Sequence, residues 1–143
     1  NYTKEIPQKI KSYLQDKGSS YDFVIFTQYV NNKKSPSYKK LNFKECLGGK
    51  QIEIAKELKS FVSKNNLFIK DTYSAFQNKR IFDFIKKNKI KGKKILEVGC
   101  GTGGHALFLK KKGFEIIGVD LNQEMLDIEK TKTVYNAVFQ IGE

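Results

Sequence analysis

A chain of 143 residues with 39% apolar and 13% aromatic content has material for one ordinary domain with a core, which argues against global disorder. Its longest apolar stretch, around Phe23–Phe26, falls far short of the roughly 20 residues a membrane-spanning helix needs, so neither a span nor a membrane partner is expected. The net charge of +12 is uneven: residues 1–94 hold 21 Lys and one Arg against eight acids, net +14, while residues 95–143 hold five Lys against seven acids, net −2.

Asn1-Tyr2-Thr3-Lys4-Glu5 has neither the apolar stretch nor the small-residue cleavage site of a secretory signal, and a first residue other than Met suggests that the natural start lies upstream. Cys46 and Cys100 show no pairing pattern, which makes a reducing, cytoplasmic setting the default. Between Thr3 and Lys17, Ile6, Ile10, Tyr13 and Leu14 recur at helical spacing, with Gly18 placed to stop the helix. Asp22–Val30 is β-branched and aromatic and reads as a strand, with a buried helical turn as the other option. Residues 31–50, rich in Lys, Asn, Ser and Gly, read as a loop.

Gln51–Lys64 sets Ile52, Ala55, Leu58, Phe61 and Val62 on one face, which predicts a second amphipathic helix. A third is predicted over Gln77–Asn88 on the stripe Ile81, Phe82 and Ile85, with Lys86, Lys87 and Lys89 suited to the negative end of its dipole. These stripes are most simply core-facing surfaces. No motif stands out in residues 1–92, which are read as a mainly helical N-terminal region, either a lid in which Tyr73 or Phe76 lines a site or a separate accessory module.

After Gly92 the pattern changes. Lys94–Val98 is a strand that runs into Gly99-Cys100-Gly101-Thr102-Gly103-Gly104; His105–Lys112 is a helix closed by Gly113; Phe114–Val119 is a strand with Asp120 at its carboxyl end. A helix from Gln123 to about Lys132 and a strand over Ala137–Ile141 complete a βαβαβ order, the signature of an α/β fold with a doubly wound parallel sheet. A glycine turn between strand and helix lets a ligand approach the backbone, and an acid at the tip of the next strand can accept both hydroxyls of a ribose. Together they describe a site for a nucleoside-bearing cofactor.

The turn satisfies both the dinucleotide spacing, Gly99-x-Gly101-x-x-Gly104, and the spacing Glu97-x-Gly99-x-Gly101-x-Gly103. Glu97 separates them, because a carboxylate just before the turn repels a pyrophosphate and suits a cationic ligand. Ile95-Leu96-Glu97-Val98-Gly99-Cys100-Gly101-Thr102-Gly103, followed by Ile117-Gly118-Val119-Asp120-Leu121-Asn122-Gln123-Glu124-Met125-Leu126, resembles the first two motifs of the class I S-adenosylmethionine-dependent methyltransferases. The resemblance covers about Lys93–Glu143 and implies the first half of a Rossmann-like methyltransferase core. It implies that Gly99, Cys100, Gly101 and Gly103 form the turn under the methionine part of the cofactor, with Glu97 near its amino group. Asp120 would hold the ribose and Leu121 would pack on the adenine. Gly142-Glu143 resembles the third motif, whose acid accepts from the adenine amino group, although the family usually has Asp there.

Cys100 reads as a small filler of the turn rather than a nucleophile, and His105 as an ordinary first-turn residue rather than a base. No metal-ligand cluster is in view, and no residue is assigned as catalytic. Acceptor-binding residues of the family come largely from segments after the third strand, so a missing C-terminal segment or a partner chain is expected to complete the sheet. The basic front half suits an anionic acceptor such as RNA, but Arg80 is the only arginine, and guanidinium contacts are the usual grip on phosphate and bases. A small-molecule acceptor is therefore favoured over RNA. The alternatives are an NAD-dependent oxidoreductase and a non-catalytic binding module that keeps the fold.

Overall fold

The computed structural model describes residues 4–72, 75, 78–90, 94–99, 106–120, 123–124, 127 and 137–140, the last four through their backbone. The chain divides into two compact units, Asn1–Ile81 and Phe82–Glu143.

In the first unit, helix α1 (Ile6–Lys17) has Pro7 in its first turn, where no helical N–H is lost, and ends at Gly18, whose N–H donates to the Leu14 carbonyl. Two parallel strands follow, β1 (Phe26–Tyr29) and β2 (Leu67–Lys70), paired Phe26 with Leu67 through Tyr29 with Lys70. The ladder continues past both ends through Phe26 N to Asn66 O and Val30 N to Lys70 O, each 2.8 Å. A parallel pair needs a crossover. Here it carries the short helix α2 (Pro36–Lys40) and 3-10 segments over Gly49–Ile52 and Lys56–Phe61.

The amphipathic helix predicted over Gln51–Lys64 is not formed. Glu53 and Ala55 are extended, with ψ of 139° and 135°, and split the segment into two short 3-10 pieces. One carbonyl a continuous α-helix would use is taken by a side chain, since Gln28 Nε2 donates to Ile52 O, and Asn66 Nδ2 fixes the end of the segment by donating to Phe61 O at 2.9 Å. Side chains on β1 and beside β2 thus outbid local helix propensity.

Helix α3 (Lys79–Lys87) follows Asn78, whose side-chain oxygen accepts from Arg80 N at 2.9 Å and satisfies an otherwise open first-turn donor. Ile81 is wholly buried, as its place in the apolar stripe requires. The second unit then builds three parallel strands, β3 (Lys94–Val98), β4 (Glu115–Asp120) and β5 (Ala137–Gln140), in the order β3-β4-β5. Helix α4 (Ala106–Lys111) connects β3 to β4 and packs against β4; Ala106, Leu109 and Ile116 are wholly buried. Gly113, at φ 83°, turns the chain from α4 into β4, and Phe114 N closes the turn on Leu109 O at 3.2 Å. Parallel strands joined by a helix make this unit α/β, as its sequence pattern predicts. The helix predicted from Gln123 lies mostly outside the described residues.

Candidate functional site

Of the residues singled out for a ligand, Glu97, Gly99 and Asp120 are described, whereas Cys100, Gly101, Gly103, Leu121 and Glu143 lie outside the described residues, as do Gly104, His105, Tyr73 and Phe76. The three that are described stand together at the carboxyl ends of β3 and β4. The pairing of β3 with β4 runs from Lys94 opposite Glu115 to Val98 opposite Val119, which makes Gly118 the register partner of Glu97. Alternation along each strand puts Ile95 and Glu97 on one face with Ile116, Gly118 and Asp120, and Leu96 and Val98 on the other with Ile117 and Val119.

Beyond Val98 the ladder gains one more bond, Gly99 N to Val119 O at 2.7 Å, and the chain then turns away at Gly99, whose φ of 73° lies in the left-handed region that disfavours a side chain. That bond sets Gly99 beside Asp120, the last residue of β4. Strand rise and strand spacing put the Cα atoms of Glu97 and Asp120 roughly 8 Å apart across the sheet. Both side chains are half-buried.

Gly118 is the contributor that sequence reading missed. It is buried and has no side chain, so β4 sets bare backbone beside Glu97 in the register. The signal was a lone glycine inside the strand Ile116-Ile117-Gly118-Val119-Asp120, since glycine in a strand interior marks close approach of a ligand or another backbone. The site therefore offers two carboxylates on one sheet face, a left-handed turn beside them and a glycine between. Such an edge attracts a ligand with a cationic group for Glu97 and paired hydroxyls for Asp120, and repels one that sets a phosphate beside Glu97. Among the described residues no group of three or more His, Cys, Asp or Glu could hold a metal ion.

Residues 95–142 match the family described as "Methyltransferase domain". A protein of Geobacillus sp. (strain WCH70) that carries a provisional methyltransferase name is 40% identical over 62 residues, covering 43% of this chain and 24% of its own length. A 23S rRNA uracil methyltransferase of Pyrococcus abyssi is 38% identical over 47 residues, 33% of this chain and 12% of its own. A phosphoethanolamine N-methyltransferase of Zea mays is 27% identical over 139 residues, 87% of this chain and 27% of its own. The chain thus spans about a quarter of these relatives' length, or less.

Proposed function

Residues 95–142 belong to the class I S-adenosylmethionine-dependent methyltransferase family, and from that premise we propose that they form the cofactor half of an enzyme that transfers a methyl group from S-adenosylmethionine to a small-molecule acceptor. The observation that carries the reading is the pairing of Glu97 with Gly118, two register steps from Asp120 beside Gly99. The residues fit the cofactor: the carboxylate accepts from its ammonium, Gly118 sets no side chain against the methionine part, and Asp120 accepts from the two ribose hydroxyls. In the same reading Gly99, Cys100, Gly101 and Gly103 form the turn beneath the methionine part, Leu121 packs on the adenine and Glu143 accepts from its amino group.

When bound, S-adenosylmethionine supplies an electrophilic methyl group on its sulfonium. The protein's task is then to hold that carbon in line with the acceptor's lone pair, and orientation supplies much of the acceleration. β3-β4-β5 is read as the first half of a doubly wound sheet. The relatives' greater length leaves room for the strands that complete it and for the acceptor site. Relatives named for RNA and for small-molecule methylation both occur. The near absence of arginine, with Arg80 alone, favours the small molecule.

Isothermal titration of the chain with S-adenosylhomocysteine and, separately, with NAD tests the proposal. Binding of the first with no heat from the second is expected. Binding of NAD alone overturns it.

A further inference from the structure

Residues 31–50, a plain loop by composition, are held in a built frame. Asn31 is 3% exposed; its Nδ2 donates to the carbonyls of Phe43 at 2.8 Å and Glu45 at 3.0 Å, and its backbone N–H donates to Cys46 O at 2.7 Å. Its Oδ1 accepts from Asn32 N at 2.9 Å and from the buried Ser35 Oγ at 2.7 Å, while Ser35 Oγ caps α2 by accepting from Tyr38 N at 3.0 Å. One buried carboxamide thus fastens the start of the loop to its far end. A loop ordered in this way fixes the backbone from which its outer side chains project.

Those side chains are of two kinds. Lys33, Lys34, Lys39, Lys40, Lys44 and Lys50 are all exposed, and Glu45 is the only acid in the segment. Lys44 is held over the Tyr38 ring at 3.7 Å, whereas Lys33, Lys34, Lys39, Lys40 and Lys50 make no ion pair among the described residues. Between the lysines stand Leu41, 77% exposed, Phe43, 38%, and Leu47, 41%. A nucleic acid satisfies the lysines but leaves Leu41 and Leu47 in water, since its bases stack on aromatic rings and guanidinium planes rather than on aliphatic side chains. An anionic bilayer surface satisfies both: headgroups attract the ammonium groups, lysine stems extend along the interface, and the leucines enter the acyl boundary, while the Phe43 ring packs on Tyr29.

We propose that residues 31–50 form a docking surface for anionic lipid bilayers. Among the described residues no helix is long and apolar enough to cross a membrane, and a surface contact of this kind needs none. The proposal is independent of the methyltransferase reading.

Co-sedimentation of the full chain with phosphatidylcholine vesicles, with and without phosphatidylserine, tests it. Binding is expected only with phosphatidylserine and should fall as salt rises. Replacing Lys33, Lys34, Lys39 and Lys40 by Gln together should abolish it, while Leu41→Ser, at a site too exposed to matter for folding, should weaken it about tenfold, as for withdrawing one leucine from an apolar environment. Absence of binding at low salt overturns the proposal. So does binding that is insensitive to both Leu41→Ser and Leu47→Ser, or that a single-stranded RNA oligomer displaces with retention of the RNA, since either outcome makes the loop a polyanion site instead.

Discussion

Glu97 on β3 and Gly118 on β4 are register partners in a parallel ladder, so the one buried position beside the carboxylate is the one without a side chain. If a cationic ligand lies against this pair, charge and bulk should fail separately. Glu97→Gln keeps the shape and loses the charge, and S-adenosylhomocysteine affinity should fall about tenfold in calorimetry, the scale of one charge-assisted hydrogen bond. Gly118→Val should abolish binding through bulk while far-ultraviolet circular dichroism stays unchanged, because valine suits a strand. Undiminished binding by the valine variant would show that the ligand lies elsewhere.

Asp120 ends β4 beside Gly99, two register steps beyond the Glu97 and Gly118 pair. If it accepts from ribose hydroxyls, Asp120→Ala and removal of those hydroxyls from the ligand remove the same interaction. The variant should bind S-adenosylhomocysteine about tenfold or more weakly, yet bind its 2′,3′-dideoxy analogue nearly as the parent chain does. Additive losses in this cycle would assign Asp120 a purely structural role.

Ile116 lies on the same face of β4 two residues before Gly118 and is wholly buried. Ile116→Ala should cost about 2–5 kcal/mol of stability through lost burial and a residual cavity. Urea denaturation checks this, and any loss of cofactor binding should track the unfolded fraction. That dependence separates a core defect from the direct effect expected at Gly118.

The second unit was legible because local and global signals agree there. Gly99, Asp120 and the period-two strands each point to the same parallel α/β unit, and Gly113 marks the turn between α4 and β4. The first unit was less so. α2 was announced by Ser35 and Pro36, a capping hydroxyl followed by a first-turn proline, but the surrounding lysines and asparagines read as loop. β2 is only Leu67–Lys70, too short for a periodic signal, and it exists through pairing with β1, 41 residues earlier in sequence by register. The stripe over Gln51–Lys64 was real as a pattern, yet Gln28 claims the Ile52 carbonyl it needed, and no local rule foresees a bond from a distant strand.

Asn31 holds both ends of its loop through one carboxamide. Asn31→Ala leaves the carbonyls of Phe43 and Glu45 without their donor, and a loss of about 1–3 kcal/mol is expected if they stay out of water. Asn31→Asp should be worse at neutral pH, since a carboxylate would face the same two carbonyl oxygens. Urea midpoints measure the cost. Limited trypsin digestion should show faster cleavage after Lys39, Lys40 and Lys44 in both variants, and unchanged cleavage rates would mean that the loop is ordered without Asn31.

The hydroxyls of Tyr13 and Tyr21 are hydrogen-bonded, with ring centroids 6.3 Å apart. Burial, and then the bond to Tyr13 and its charge, push the Tyr21 phenol up from 10.0 to about 12. The folded state thus favours the protonated phenol. Its contribution to stability is fully present below pH 10, the unfolded value, and is lost as pH rises from there towards about 12. Of the seven tyrosines, one should titrate late in the tyrosinate absorbance while circular dichroism still reports a folded chain. Tyr21→Phe should remove that late step, and Tyr13→Phe should move it towards lower pH by deleting the partner while leaving the burial. A folded chain in which every tyrosine ionises near pH 10 would show that the pair is open in solution.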